Sequence, residues 1–391
     1  MPREYIYTLL FALLAFRMLV IVFHELGHAV ASLFHSDGKV SVYIGSYGNP
    51  KKSFQFQIKR LEFFVKYNLF AWKGGLCIPH GKKVTWKDRM YISLFGPLTT
   101  LTIGIISGIL LFVVEKFSLP SILLFALAFS CILDFLFNII PRRTQIKLHD
   151  GTFANNDGKQ LVHLWNIRKV YETYNKASNH YVAKEYIKAA ELFEKCIDDV
   201  SENKEIYRFI ISAYIQAKNY QKASVFQEKY TENYDMYFNE HDFVAVGIIE
   251  IYKRNYAKAL EAFEEVNDLL PNNYLILNNL GYILGLLKRY DEAIDYLDES
   301  VLLDESFSYA IDNRGYCKIM LGKLEEGYAD LQTALELDDQ NSYVYFYLGI
   351  YYFKKNAYQK ALEYYQKAFE LDPETHRIQE YMDEVLEKLQ H

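Results

Sequence analysis

The chain has 391 residues, enough for two or more domains, and its net charge of −6 conceals two halves of opposite sign. Of the 43 basic and 49 acidic residues, 18 and 9 lie in residues 1–159, so 25 and 40 lie in residues 160–391. The acidic second half argues against nucleic-acid binding, which needs a basic surface, so we expect no nucleic acid among the partners. The four cysteines form no C-x-x-C pair, which argues against a disulfide framework and a cysteine-based metal site.

Three stretches of the first half are apolar enough to enter a bilayer. They cover about residues 5–34, 91–114 and 119–140. Each has roughly the 20 residues that a membrane-spanning helix needs. The sequence therefore predicts a membrane domain with three spans.

A motif of ionisable residues, His24-Glu25-Leu26-Gly27-His28, interrupts the first apolar stretch. On a helix, H-E-x-x-H places two imidazoles on one face, where both can bind one Zn²⁺ ion. Glu25 then stands where it can take a proton from a zinc-activated water molecule. Histidines inside a protein are more often packed core residues, but ionisable groups within a membrane are costly and usually functional. We therefore expect His24 and His28 to bind zinc and Glu25 to be catalytic.

The loop after this motif, residues 40–80, is rich in β-forming residues. Residues 53–59 alternate between apolar and polar, which predicts a half-exposed strand, and residues 62–72 form a second β-prone run. The resulting sheet serves either as a lid or as an edge that holds an extended peptide. Between Asp37 and Arg89 there are eleven basic residues against three acidic ones, which places this loop and the C-terminal half in the cytoplasm and the N-terminus outside.

Three motifs, in this order, resemble those of the site-2 protease family, the intramembrane zinc metalloproteases. They are the H-E-x-x-H motif, a small-Gly-Pro signature that appears here as Phe95-Gly96-Pro97 with phenylalanine in place of the small residue, and Asn138-Ile139-Ile140-Pro141 followed by Asp-Gly. The resemblance covers about residues 5–160. It implies that His24 and His28 bind Zn²⁺, that Glu25 activates the water, that an aspartate is the third ligand, and that Asn138 holds the substrate backbone.

Two aspartates compete for the place of the third ligand, because Asp150-Gly151 and Asp157-Gly158 both follow the proline. In the family the Asp-Gly pair usually follows the proline closely within apolar sequence, whereas here a polar stretch intervenes. Asp157 stands at a plausible helix start, and we favour it. Asp150 remains the alternative, since zinc geometry does not separate the two at the level of sequence, and either pair can be an ordinary turn.

The second half repeats itself every 34 residues. Glycines recur at this interval, a small residue follows each of them by twelve positions, and a bulky residue follows that one by four: Gly247, Gly281, Gly315 and Gly349; Ala259, Ala293, Gly327 and Ala361; Phe263, Leu297, Leu331 and Tyr365. This spacing is typical of tetratricopeptide repeats, in which pairs of helices approach closely at the small residues. We expect a connector over residues 161–169, six repeats over 170–375 and a capping helix over 376–391. Such arrays bind protein partners in a concave groove.

The sequence thus predicts a mainly α protein with two parts, a three-span metalloprotease-like domain over residues 1–160 and an α-solenoid of tetratricopeptide repeats. The function that we expect is that of a zinc metalloendopeptidase in the cell membrane, hydrolysing peptide bonds of membrane proteins or membrane-associated peptides. The repeats would recruit a substrate or a regulator. The alternative is a catalytically inactive scaffold that holds the repeats at the lipid bilayer.

Overall fold

The computed structural model describes residues 3–81, 84–142, 144–200, 204–375 and 377–390. The chain forms two compact units. One unit comprises residues 1–176 and 195–202, and the other comprises residues 177–194 and 203–391. The protein is mainly helical, as the sequence predicts.

The first unit is built on three long helices, α1 (Arg3–His35), α2 (Trp86–Leu110) and α3 (Leu119–Ile139), which pack against one another. Among the described residues, three segments are long and apolar enough to cross a membrane: Tyr5–His35, Trp86–Leu110 and Leu119–Ile139. Helix α4 (Asp157–Ile167) packs against α2 and α3. Most of the segment for which we expect a connector is therefore helical.

Helix α2 begins five residues before the start of the predicted span, because a capping box forms at its N-terminus. The Thr85 hydroxyl accepts a hydrogen bond from the Asp88 amide, and the Asp88 carboxylate accepts one from the Thr85 amide. These two bonds satisfy amide groups that a helix start leaves without partners. They extend the helix through polar residues that hydropathy alone assigns to the loop.

The loop after α1 folds into a mixed sheet of β1 (Val40–Ile44), β2 (Ser53–Ile58), β3 (Leu61–Lys66) and β4 (Gly75–Pro79). The strand order is β2-β3-β1-β4, with β1 parallel to β3 and the other neighbours antiparallel. One face of the sheet packs against Ala29 of α1 through Val40, Val42 and Phe63. This contact places the sheet beside the H-E-x-x-H motif and leaves β4 at its edge.

Strand β2 differs from the half-exposed strand that its alternation predicts, because both of its faces are exposed after Ser53. Phe54 and Phe56 expose 62% and 49% of their surface. Both faces are exposed because β2 lies at the edge of the sheet opposite to β4. A two-stranded ribbon of β5 (Ile146–Lys147) and β6 (Phe153–Ala154) then connects α3 to α4.

The remaining helices follow one another as short helix–turn–helix units. Within the described residues they are α5 (Tyr171–Val182), α6 (Tyr186–Glu194), α7 (Lys204–Gln216), α8 (Tyr220–Tyr234), α9 (Glu240–Tyr252), α10 (Tyr256–Leu269), α11 (Tyr274–Leu286), α12 (Tyr290–Leu303), α13 (Ser308–Met320), α14 (Leu324–Leu337), α15 (Ser342–Lys354), α16 (Tyr358–Leu371) and α17 (Ile378–Gln390). Short 3-10 turns stand at Leu69–Ala71 and Asp235–Tyr237.

The small and bulky residues of the 34-residue pattern meet between the two helices of a unit. Gly281 of α11 lies directly against the Leu297 side chain of α12, and Gly349 of α15 lies against Tyr365 of α16. Leu297 and Tyr365 are completely buried. Helix α17 packs on the last pair through Val385. Residues 376 and 391, at the two ends of the predicted capping segment, lie outside the described residues.

Candidate metal centre

The H-E-x-x-H motif lies in the middle of a continuous helix, α1, so both histidines share one face. The Nε2 atoms of His24 and His28 are 3.0 Å apart, and both side chains are buried. The spacing of four residues along a helix explains this approach.

The outer nitrogen of each imidazole is held by an acceptor. His24 Nδ1 lies 2.8 Å from Asp134 Oδ2 of α3, and His28 Nδ1 lies 2.6 Å from the main-chain oxygen of Ile92 in α2. A carbonyl oxygen and a carboxylate can only accept, so each Nδ1 carries the donated proton. In a neutral imidazole, Nε2 then carries no proton and has a free lone pair. Both lone pairs point into the same space.

Asp157, the first residue of α4, supplies a carboxylate to that space. Its Oδ2 lies 3.1 Å from His24 Nε2, and its Oδ1 lies 3.4 Å from His28 Nε2. Burial raises the pKa of Asp157, but the positive charge and hydrogen bonds of His28 and His24, when these are protonated, lower it more strongly, and the net pKa is then well below the usual value. The carboxylate is therefore ionised.

The start of α4 is fixed on the end of α3 by Asn156. The Asn156 side chain caps α4 by accepting a hydrogen bond from the Lys159 amide, and its Nδ2 donates to the main-chain oxygens of Asn138 and Ile140 at distances of 3.1 and 2.7 Å. Gly158 permits this approach, because an added Cβ would lie 2.0 Å from the Ile139 oxygen. The Asp-Gly pair is thus required by packing as well as by the carboxylate.

Asp150, the alternative third ligand, lies in an exposed turn instead. Its Oδ1 accepts hydrogen bonds from the amide of Thr152 at 3.0 Å and from the Thr152 hydroxyl at 2.6 Å. Among the described residues, the group of histidine, cysteine and acidic side chains that could hold a metal ion comprises His24, His28 and Asp157. The structure does not bring Asp150 to the histidines.

The three donor groups fit Zn²⁺. Tetrahedral zinc with bonds of about 2.0–2.2 Å holds neighbouring ligand atoms about 3.3–3.6 Å apart, and the observed separations are 3.0–3.4 Å. Two lone pairs and a carboxylate repel one another at such distances unless a proton or a metal ion lies among them. Cys77 lines the same cavity, but burial raises the pKa of its thiol, which disfavours the thiolate that binds metals.

Glu25 lies beside the donor set and has an unused oxygen. The side chain is buried, and its Oε2 has no hydrogen-bond partner among the described residues. Leaving a buried carboxylate oxygen without a partner costs free energy, so its retention indicates a function. Strand β4 runs next to it, because a Cβ added to Gly75 would lie 2.4 Å from Glu25 Cγ.

A cavity of about 660 Å³ joins these groups. Its lining includes His24, Glu25 and His28 of the motif, Gly75 at the start of β4, and Asn138 and Arg142 near the end of α3. Asn138 Nδ2 lies 3.0 Å from both the main-chain oxygen and Oδ1 of Asp134. The cavity is large enough for an extended stretch of peptide.

Sequence reasoning missed two groups, Asp134 and the Ile92 carbonyl. A signal for Asp134 was available, because it is the single acidic residue in the apolar sequence of α3 and stands four residues before Asn138. The Ile92 carbonyl carries no such signal, since any residue supplies a main-chain oxygen.

Comparison with known proteins bears on both units. The tetratricopeptide repeat model matches residues 342–375. Solved structures of repeat proteins resemble the chain at low identity. A tetratricopeptide repeat protein from Parabacteroides merdae has 14% identity and a TM-score of 0.47, with 59% of this chain and 91% of that one covered. The thermophilic protein TTC0263 from Thermus thermophilus has 16% identity and a TM-score of 0.40, with 47% and 98% covered.

No curated protein sequence matches the chain. The model described as Peptidase family M50 matches residues 11–310, well over half of the chain, and includes the motif helix, the cavity and the first repeats. The chain therefore belongs to peptidase family M50, the site-2 protease family, and carries a tetratricopeptide repeat region fused to its membrane metalloprotease domain.

Proposed function

We propose that this protein is an intramembrane zinc metalloendopeptidase in which His24, His28 and Asp157 hold the metal and Glu25 is the general base. The observation that carries the proposal is the convergence of two imidazole Nε2 atoms and a carboxylate beside a buried glutamate oxygen that has no hydrogen-bond partner among the described residues. When bound, zinc would polarise the scissile carbonyl and lower the pKa of a water molecule.

Glu25 has the position and the freedom that a general base needs. Its Oε2 is not engaged by any described side chain, so it can take the proton of the attacking water and deliver it to the leaving amine. A glutamine at this position keeps the size of the side chain but does not accept the proton. Asp134 and the Ile92 carbonyl meanwhile keep the imidazoles in the required tautomer.

Strand β4 is the element best placed to hold the substrate. It pairs with β1 on one side, lies at the edge of the sheet, and begins against Glu25. A helical segment must unwind before its peptide bonds can be attacked, because its carbonyl groups are already hydrogen-bonded. An unwound segment that adds to β4 as a further strand satisfies its backbone groups next to the catalytic glutamate.

The sidedness of the protein and the role of the repeats belong to the same proposal. The excess of basic residues in the sheet loop favours a cytoplasmic location for this loop and for the repeats, with the N-terminus outside. We infer that the repeats present a protein-binding surface that recruits a substrate or a regulator.

Replacing Glu25 with glutamine tests this function. Cells that produce wild type, Glu25→Gln or the control Glu115→Gln would be compared by mass spectrometry of membrane-protein termini. Glu115 is an exposed residue between α2 and α3 and does not line the cavity. We expect a membrane protein to be shortened by wild type and by the control but to remain intact with Glu25→Gln, while purified Glu25→Gln still binds zinc. Identical termini in all three samples would instead favour the inactive scaffold.

A further inference from the structure

Asp134 is an acidic residue inside an apolar span, where an ionised side chain needs a strong reason to be present. Its Oδ2 lies 2.8 Å from His24 Nδ1. Among the described residues, no lysine or arginine forms an ion pair with it, although Arg17 lines the same cavity. The charge of Asp134 is therefore directed at one imidazole.

The two histidines are supported differently. The outer nitrogen of His24 faces a carboxylate, whereas that of His28 faces the neutral carbonyl of Ile92. An anionic partner fixes the orientation of an imidazole and makes its other nitrogen a stronger electron donor, more than a neutral carbonyl does. His24 is thus the ligand that depends on an acidic partner.

Asn138 completes the arrangement from the next turn of α3. Its amide nitrogen lies 3.0 Å from Asp134 Oδ1 and 3.0 Å from the Asp134 main-chain oxygen. Both partners accept hydrogen bonds, so the amino end of the Asn138 side chain must face them. An amide group has two N–H bonds, and both are used on a single residue. Only the side-chain oxygen of Asn138 remains available to the cavity.

We propose that Asn138, Asp134 and His24 form a positioning relay for zinc, in which Asn138 orients Asp134 and Asp134 orients His24. This inference rests on the proposed function and revises one expectation drawn from the family resemblance. The resemblance to site-2 proteases implies that Asn138 holds the substrate backbone, and donation to a substrate carbonyl would require one of its bonds to Asp134 to break. Asn138 is therefore a positioning residue that acts through Asp134.

The test measures the zinc affinity of the full-length protein in detergent by competition with a chromogenic chelator. Asp134→Asn keeps the size of the side chain and an acceptor oxygen but removes the charge, and Asn138→Leu removes both amide donors. Asp150→Asn is the control, because Asp150 lies in an exposed turn of the same unit. We expect Asp134→Asn to weaken zinc binding about 10- to 100-fold, Asn138→Leu to weaken it by a smaller factor, and the control to match wild type.

Two further measurements separate positioning from general damage to the fold. In the double variant, Asn138→Leu should add little to the effect of Asp134→Asn, because both act along one path. The absorption bands of the Co²⁺-loaded protein should shift in Asp134→Asn but not in Asp150→Asn, while the unfolding temperature of the metal-free proteins stays the same. If Asp134→Asn does not fold, the zinc affinity of Asn138→Leu, which keeps the Asp134 carboxylate, tests the proposal instead.

Equal zinc affinity of wild type, Asp134→Asn and Asn138→Leu would overturn the relay and leave the proposed enzyme standing. If the effects of the two substitutions on zinc affinity add in the double variant, Asn138 does not act on His24 through Asp134. Failure of wild type to bind zinc would instead overturn the proposed function itself, so the two failures are distinguishable.

Discussion

Gly96 lies where helices α1 and α2 touch, directly against a proposed zinc ligand. A Cβ added at Gly96 would lie 2.3 Å from His28 Nε2. Ordinary van der Waals contact requires about 3.4 Å or more, so the imidazole must retreat by about 1 Å. Zinc–nitrogen bonds of ~2.0–2.1 Å tolerate deviations of only about 0.2 Å. Gly96→Ala should therefore remove His28 from the metal and weaken zinc binding by at least about 10-fold, in addition to an overpacking cost of about 1–3 kcal/mol.

Gly108→Ala is the matched control for this experiment. Gly108 lies on the same helix, but a Cβ added there meets no atom of the described residues within 4 Å. Chelator competition and thermal unfolding in detergent would be measured for both variants and wild type. Gly108→Ala should retain the zinc affinity and the unfolding temperature of wild type. Zinc binding by Gly96→Ala that is as tight as that of wild type would refute the account of the α1–α2 contact.

Two predictions concern the repeats. Asp312 is fully buried, its Oδ1 has no hydrogen-bond partner in the described part of the chain, and burial raises its pKa well above the usual value. The unfolded chain loses this proton at a pH of about 4, whereas the folded chain loses it at a higher pH. The free energy of unfolding of wild type should therefore fall as the pH rises between the two pKa values. In urea unfolding of the full chain, Asp312→Asn should remove this dependence on pH. The hydroxyl of Tyr347 donates to Asn313 Oδ1 at 2.8 Å in the core. Tyr347→Phe should lower the free energy of unfolding by about 1–3 kcal/mol, because it leaves this acceptor unpaired. The hydroxyl of Tyr345 lies at the surface, so Tyr345→Phe should change the free energy of unfolding by less than about 0.5 kcal/mol. A pH slope that persists in Asp312→Asn, or equal effects of the two tyrosine variants, would contradict these arguments.

The local part of the candidate site was predictable because it depends on helical spacing alone. His24, Glu25 and His28 stand within five residues, and any helix through them puts both imidazoles on one face. Asp157 could be favoured but not separated from Asp150. The position of Asp157 depends on hydrogen bonds from Asn156 to carbonyls at the end of α3, and no local pattern encodes such bonds.

The repeats were predictable for a related reason, since each 34-residue unit packs mainly on its neighbours. A glycine in one helix contacts the bulky residue that stands sixteen positions later in the next helix, as Gly281 contacts Leu297. The polar groups between repeats were not predicted. Asn278 and Asn313 are hydrogen-bonded to each other although they lie 35 residues apart, and their partnership depends on how successive helix pairs stack.

Of the proposed roles, that of Asn138 is the one that the sequence determines least. Its place before Pro141 resembles the substrate-binding asparagine of site-2 proteases. Its amide donors are engaged by Asp134, whose contact with His24 is seen only in the folded structure. Spacing shows that Asp134 and Asn138 share a helix face, but not which side chain that face meets.

The central claim is that His24, His28 and Asp157 bind one zinc ion, and X-ray absorption at the zinc edge tests it most directly. Full-length wild type, Asp157→Ala and Asp150→Ala would be purified in detergent and compared. We predict that wild type and Asp150→Ala show nitrogen and oxygen ligands at about 2.0–2.1 Å with the scattering of two imidazoles, and that Asp157→Ala loses the metal or this spectrum. A sulfur ligand at about 2.3 Å, or an unchanged spectrum in Asp157→Ala, would contradict the account.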